Sequence, residues 1–138
     1  MPVKPCINLS FRGECETAFK SYEECLGGKI TYSLTWGDSP MAKDAPPEWA
    51  GKMAHASITI GGVPFSGADP LPQGYEAPRG FTVLLGLSDV AEAEHIFQAL
   101  AENGTVTMPL QETFWALRFG LVRDRFGIPW GINCEKAQ

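Results

Sequence analysis

The same order of predicted elements occurs twice along this chain. Each half starts with an apolar strand, continues with one amphipathic helix and ends with three strands that glycine and proline separate. The helices are predicted at residues 14–26 and 89–103, and an offset of 75 positions superimposes their apolar stripes. The superimposed residues are Cys15, Ala18, Tyr22 and Cys25 in the first helix and Val90, Ala93, Phe97 and Leu100 in the second. A repeat at this spacing predicts two similar modules.

The strands are predicted to form one sheet in each half. They lie at residues 6–11, 29–36, 52–60 and 63–67, and again at 81–87, 105–110, 117–123 and 130–134. Each helix is apolar on one side only, and is therefore expected to cover one face of its own sheet. Gly27 is expected to end the first helix, Ser88 to cap the second helix and Gly104 to end it.

These elements predict an α+β fold of tandem βαβββ modules, with curved sheets around a shared cleft and the helices outside. The chain of 138 residues is expected to be a single domain. Its first module spans about residues 1–67, a proline- and glycine-rich linker about 68–80, and the second module about 81–138. A cleft between repeats is a common place for a small-molecule site.

Composition and charge exclude several classes of protein. Hydrophobic residues make up 44% of the chain and charged residues 20%, which is typical of a soluble globular protein. Eleven Lys and Arg against sixteen Asp and Glu give a net charge of −5, which disfavours nucleic acid as a partner. No apolar run is long enough to span a membrane, and the first residues lack a secretion-signal pattern. The four cysteines lack metal-binding spacing, which predicts reduced thiols and a cytoplasmic location.

Short segments along nearly the whole chain are similar to a known family. They are 18–28 (AFKSYEECLGG), 54–62 (AHASITIGG), 111–116 (QETFWA), 123–130 (RDRFGIPW) and 126–133 (FGIPWGIN). With the paired βαβββ order, they make the chain resemble the vicinal oxygen chelate superfamily, which includes glyoxalase I, bleomycin-resistance proteins and extradiol dioxygenases. More narrowly, the chain resembles the PhnB-like branch. The resemblance implies that two chains pair as a homodimer.

The resemblance also implies a divalent metal that His, Glu or Gln side chains hold from four strands. The corresponding positions in this chain are Ile7 or Asn8, Phe65 or Ser66, Thr82, and Gly131. None of them is His, Asp or Glu, and a register slip would bring in only the neutral amides of Asn8 and Asn133. We therefore expect the usual metal site to be absent and assign no cofactor. A divalent metal would need an atypical set of ligands, in which His55, Glu112 and residues of a second subunit complete the site.

Six residues are predicted to contact or enclose a ligand. They are His55, Glu112, Trp115, Arg118, Phe126 and Trp130. His55 and Ser57 are predicted on the same polar face of their strand, and His55 is a candidate acid, base or ligand donor. Glu112 stands beside aromatic residues, and the tryptophans offer rings for stacking. The structural alternatives are a hydrogen-bonded or interface histidine, a salt bridge from Glu112 to Arg118 or Arg123, and plain packing of the tryptophans.

Three functions are compatible with these patterns. The first is binding of a small organic ligand in the cleft without the usual metal. The second is a metal-dependent lyase or dioxygenase of the same superfamily with an atypical ligand set. The third is a structural dimerisation module. A separate tryptophan, Trp49, lies in the proline-rich segment 44–52 and is expected to belong to a mobile lid or a partner contact.

Overall fold

The computed structural model describes residues 2–136, which form ten regular elements and three short 3-10 turns. The first half contains β1 (Ile7–Ser10), α1 (Cys15–Leu26), β2 (Lys29–Thr35), β3 (Met53–Ile60) and β4 (Val63–Ala68). The second half contains β5 (Val83–Leu87), α2 (Val90–Ala101), β6 (Thr105–Gln111), β7 (Ala116–Arg123) and β8 (Pro129–Glu135). The 3-10 turns are Ala42–Asp44, Pro47–Trp49 and Pro72–Gly74. The predicted α+β class, with two βαβββ modules, is confirmed.

Each half forms a four-stranded mixed sheet with the same topology. The strand order is β1-β4-β3-β2 in the first sheet and β5-β8-β7-β6 in the second. In both sheets the first strand pairs parallel with the last, and the other neighbours pair antiparallel. The chain divides into two compact units between Ala77 and Pro78. Neither α1 nor α2, each of 12 residues, is long enough to cross a membrane, nor is any other helix within residues 2–136.

In the first module, α1 packs its apolar stripe against one face of the sheet. The buried residues of the helix are Cys15, Ala18, Phe19 and Tyr22, and those of the sheet include Leu9, Ala56, Ile58, Ile60 and Phe65. Gly67 of β4 lies directly below the ring of Phe19, and a methyl group at this position would be 2.5 Å from Cζ of that ring. Absence of a side chain at Gly67 therefore sets how closely α1 approaches its sheet.

The second module repeats this packing with different residues. The buried residues of α2 are Ala93, Ile96, Phe97 and Leu100, and those of the sheet include Val83, Val122, Trp130, Ile132 and Cys134. Gly120 of β7 takes the role of Gly67, because a methyl group there would lie 2.8 Å from Cε2 of Phe97. Each helix therefore covers one face of its own sheet, as its one-sided apolar stripe predicts.

The sequence predicts the residues at the helix ends only in part. Gly27 ends α1 in the left-handed conformation with a φ of 69°, as expected. The N-cap of α2 is Asp89 and not Ser88, because the Asp89 carboxylate accepts a hydrogen bond of 3.1 Å from the backbone N–H of Glu92. At the other end of α2 the positive φ of 58° belongs to Asn103 and not to Gly104.

The buried residue Asp69 holds the segment between β2 and β3 in place. Its carboxylate accepts hydrogen bonds from the backbone N–H groups of Cys15 (3.0 Å) and Met53 (2.9 Å). Its carbonyl oxygen accepts from the indole N–H groups of Trp36 (2.8 Å) and Trp49 (3.3 Å). Burial raises the pKa of Asp69 although these backbone hydrogen bonds oppose the shift. Trp49 is thus hydrogen-bonded to the residue that follows β4, and its place in a mobile lid or a partner contact stays a prediction.

Candidate functional site

The face of the first sheet that α1 leaves uncovered is polar. The register of the sheet places Asn8, Ser66, Ser57 and Tyr32 in one row across four strands. The hydroxyl of Ser66 donates a hydrogen bond of 2.8 Å to Oδ1 of Asn8. This row therefore offers hydroxyl and amide groups at the surface of the first module.

His55 lies on the same polar face, as the alternation along β3 predicts. It is exposed, whereas Ala56 and Ile58 on the opposite face are buried under α1. Its ring centroid is 5.8 Å from that of Tyr32, and the rings are tilted by 49°. His55 therefore has an aromatic neighbour, while its imidazole stays open to solvent.

The positions at which the superfamily resemblance implies metal ligands do not suit a metal ion in this chain. Asn8 and Ser66 are directly opposite each other and are already joined by a hydrogen bond. In the second module Leu84 stands opposite Gly131, and a side chain at Gly131 would come within 2.7 Å of Cδ1 of Leu84. Thr82, the predicted candidate on this side, precedes β5. An amide, a hydroxyl and a leucine provide no ionic ligand for a divalent cation.

No alternative metal cluster is found among the residues that the structure describes. No three His, Cys, Asp or Glu side chains between residues 2 and 136 come together in a way that could hold one ion. The atypical set with His55 and Glu112 also gains no support, since the carboxylate of Glu112 pairs with Lys136 at 3.8 Å.

The uncovered face of the second sheet is apolar, in contrast to the first. One row across the sheet contains Met108, Leu121, Gly131 and Leu84, and the next contains Gln111, Phe119, Asn133 and Gly86. Leu84 is 54% exposed, and the space above Gly86 is open, because a methyl group added there would have no neighbouring atom within 4 Å. Exposed Leu84 and the open space above Gly86 therefore form a shallow depression on this face.

An aromatic cluster borders this apolar face. The ring centroids of Trp115 and Phe119 are 5.2 Å apart, and those of Phe114 and Trp115 are 4.7 Å apart, both in edge-to-face geometry. Trp115 is 45% exposed and Phe114 is 90% exposed. A tight turn fixes the cluster, because Oγ1 of Thr113 accepts hydrogen bonds from the N–H groups of Trp115 (3.3 Å) and Ala116 (3.0 Å).

The charged candidates pair with groups outside this cluster. Glu112 lies in the same turn as Trp115, but its ion-pair partner is Lys136, so the predicted salt bridge to Arg118 or Arg123 is wrong. Arg118 instead turns to the helix side of the sheet, where its Nε donates to Oε1 of Glu94 at 3.2 Å. Arg123 donates to the carbonyl oxygens of Pro78 (2.7 Å) and Gly127 (2.6 Å).

Phe126 and Trp130 belong to the core of the second module. Trp130 has no exposed surface, and its indole N–H donates a hydrogen bond of 2.8 Å to Asp124. The other oxygen of the Asp124 carboxylate accepts from the N–H groups of Phe126 (2.9 Å) and Ile128 (3.0 Å), which closes the turn between β7 and β8. The guanidinium of Arg125 lies 4.6 Å above the ring of Phe126. Both rings thus support the turn from within, whereas the sequence pattern predicts them at the wall of a ligand site.

Sequence reasoning missed Leu84 and Phe119 as residues of the open face, and considered Asn133 only through a register slip of the last strand. A signal for Leu84 was present, since the run from Val83 to Leu87 is apolar at nearly every position and not at alternate ones. A strand that is apolar on both sides has an apolar surface left over after its helix is packed. Phe119 and Asn133 required the register of β7 with β8, which the sequence does not contain.

Two βαβββ modules, each with one helix on a mixed sheet, define the class of fold. The family model described as the glyoxalase/bleomycin resistance protein/dioxygenase superfamily matches residues 9–132. The chain therefore belongs to this superfamily, and the resemblance noted in the sequence is confirmed.

The similarity to known proteins extends along nearly the whole chain. Protein YjdN of Escherichia coli K12 is 38% identical over 148 aligned residues, which cover 100% of this chain and 98% of YjdN. The crystal structure of PA1353 from Pseudomonas aeruginosa is 40% identical with a TM-score of 0.87, covering 99% of this chain and all of that one. The PhnB protein from Bacillus cereus has a TM-score of 0.81 at 21% identity, covering 95% of this chain and 98% of that one, and shares the fold.

Proposed function

We propose that this protein binds a small organic molecule on the open face of its second sheet, without the metal that the superfamily resemblance implies. The observation that carries the proposal is the aromatic cluster of Phe114, Trp115 and Phe119 at the border of a sheet face that also exposes Leu84. Large exposed apolar patches on soluble proteins commonly mark binding sites. Small-molecule sites combine such apolar walls with a few polar groups.

The side chains of this face have distinct roles in the proposal. Trp115 provides a ring on which a planar or apolar ligand stacks, and Phe119 fixes the position of that ring. Gly86 leaves room for the ligand above the sheet. Asn133 lies in the same row as Phe119 and Gly86 and supplies the polar contact, because its Oδ1 has no hydrogen-bond partner among the described residues.

His55 is the proposed ligand-contacting residue of the first module. Its imidazole, together with Tyr32 and Ser57, offers hydrogen-bonding groups on this face, where Leu34 lies opposite His55. The cleft that the sequence predicts between the modules stays a prediction. We assign no reaction to His55.

The test is a thermal-shift screen of the full chain against aromatic and apolar metabolites, followed by Trp115→Ala. A ligand present at about 100 times its Kd should stabilise the protein by about 2.7 kcal/mol. Trp115→Ala should weaken binding by about tenfold or more, which corresponds to ~1.4 kcal/mol. The matched control is Phe81→Ala, an exposed aromatic residue of the same unit outside the cluster, and it should bind as the wild type does. Equal binding by both variants would remove the open face from consideration.

We also propose that the protein is cytoplasmic and forms homodimers, without nucleic-acid or membrane partners. The net charge of −5 supports the first exclusion, and the superfamily resemblance, in which two chains pair, supports the homodimer. Light scattering during gel filtration should give twice the chain mass of 15.0 kDa. A monomer at micromolar concentration would contradict this part of the proposal.

A further inference from the structure

A second hollow lies on the opposite side of the second sheet, where α2 meets the edge strand β6. It is lined by Glu94, Phe97, Gln98, Val106, Pro109, Leu110 and Arg118 and has a volume of about 370 Å³. This size is within the range of small-molecule sites. The hollow shares no residue with the aromatic cluster of the open face, so the following inference is independent of the proposed function.

The floor of the hollow is apolar. Phe97 of α2 is almost fully buried, and Leu110 and Pro109 of β6 complete the floor. Val106 is 45% exposed although the register of β6 with β7 places it on the same face of the sheet as buried Val122, under the helix. An aliphatic side chain left uncovered beside a helix provides surface that a ligand can remove from water.

The rim carries hydrogen-bond donors and acceptors that together have no net charge. Nε of Arg118 donates to Oε1 of Glu94, and its Nη1 donates to the carbonyl oxygen of Leu117 at 2.6 Å. Within residues 2–136, Nη2 of Arg118, Oε2 of Glu94 and the side-chain amide of Gln98 make no hydrogen bond. A donor and an acceptor therefore stand side by side and are still available.

We propose that this hollow binds a small neutral amide with a compact apolar body. The carbonyl oxygen of such a group accepts from Arg118, and its N–H donates to Glu94 or Gln98, while the body covers Val106 and Leu110. A carboxylate of the same shape suits the rim less well, because it cannot donate a hydrogen bond to Glu94 or Gln98 and leaves that acceptor unpaired. The hollow therefore selects for a paired donor and acceptor.

Addition of a peptide strand to the edge of β6 fits the structure less well. The pairing of β6 with β7 is interrupted by two register shifts, and Pro109 has no backbone N–H to offer. Irregular edges with proline are a common protection against strand addition. A small molecule needs no continuous row of backbone groups.

The experiment is a titration of the isotope-labelled full chain with cyclohexanecarboxamide, followed by NMR. We expect saturable shifts of the Val106 and Leu110 methyl groups and the Gln98 amide, with a Kd of the order of 1 mM. Cyclohexanecarboxylate, the matched probe, should bind at least about fivefold more weakly at neutral pH. Tighter binding of the carboxylate, or no shift of these residues with either probe, would overturn the proposal.

Two substitutions locate the site. Val106→Thr keeps the shape of the side chain but makes it polar, and should weaken amide binding by about threefold or more. Met108→Thr changes an exposed residue of the same strand that pairs with Leu121 on the other face, and should leave binding unchanged. Equal affinity of the two variants would place the amide elsewhere. An unstructured peptide that shifts the backbone N–H signals of β6, when cyclohexanecarboxamide shifts none of the named residues, would also contradict the proposal.

Discussion

Two strand glycines determine how closely the helices approach their sheets. Gly67 lies below Phe19, and Gly120 lies below Phe97. Neither position could be recognised from the sequence, because a strand glycine is equally compatible with a bulge or a flexible segment. The reason for glycine is the ring above it, and this contact depends on the register of β3 with β4 in one module and of β7 with β8 in the other.

Gly67→Ala should destabilise the protein by about 1–3 kcal/mol, since the added methyl group would lie 2.5 Å from Phe19. Gly86→Ala is the matched control, as it also lies in a strand but has open space above it, and its effect should stay within about 0.5 kcal/mol. Chemical denaturation of both variants measures the difference. Equal stabilities would show that the ring of Phe19 moves away without cost.

Cys15 should be unreactive in the folded protein. A helix N-terminus normally lowers the pKa of a thiol, but here burial, followed by the charges of Asp69 and Glu16, raises the pKa of Cys15 well above its ordinary value of 9.0. Because the folded state favours the thiol form, this contribution to stability is complete below the unfolded pKa and is lost as the pH rises above it.

Reaction with a thiol reagent at mildly alkaline pH tests this expectation. Exposed Cys6 should react rapidly, and Cys15 at least about 100-fold more slowly, at a rate set by unfolding. Cys6→Ser is the control that removes the rapid phase. Rapid labelling of Cys15 in the native protein, identified by mass spectrometry, would contradict its burial.

Among the elements, the order was predictable and the ends were not. Periodicities of two and 3.6 residues, repeated in both halves, identify eight strands and two helices, and α1 and β3 begin within one residue of the prediction. The helix caps depend instead on short-range competition between neighbours. Ser88 and Asp89 are both good capping residues, and only the extended backbone at Asp89, with a φ of −101° and a ψ of 118°, selects between them.

Asp89→Ala should therefore destabilise the protein by about 0.5–2 kcal/mol, since it removes the acceptor for the N–H of Glu92. Ser88→Ala is the matched control and should have little effect. Thermal or urea unfolding measures both. A larger loss for Ser88→Ala would return the N-cap to the position predicted from the sequence.

At the scale of the whole molecule, the two modules share a topology and differ in the chemistry of their uncovered faces. The first presents Asn8, Ser57 and Ser66, and the second presents Leu84 and the cluster around Trp115. Sequence alternation predicted the polar face through His55. Of the residues on the apolar face, the sequence predicts only Trp115 as a ligand contact, because the others come together only when the strands pair in the sheet. The repeated element order thus determines the fold, whereas the residues in which the two halves differ determine the chemistry of each face.

The central claim is that the apolar face of the second sheet binds an organic ligand without a metal. The most direct measurement is calorimetric titration of a ligand found in the thermal-shift screen, into wild type and Trp115→Ala, each with and without prior treatment with a chelator. We expect the wild type to bind equally well in both conditions and the variant to bind about tenfold more weakly in both. Wild-type affinity that disappears after chelation, or affinity that is unchanged in Trp115→Ala, would contradict the claim.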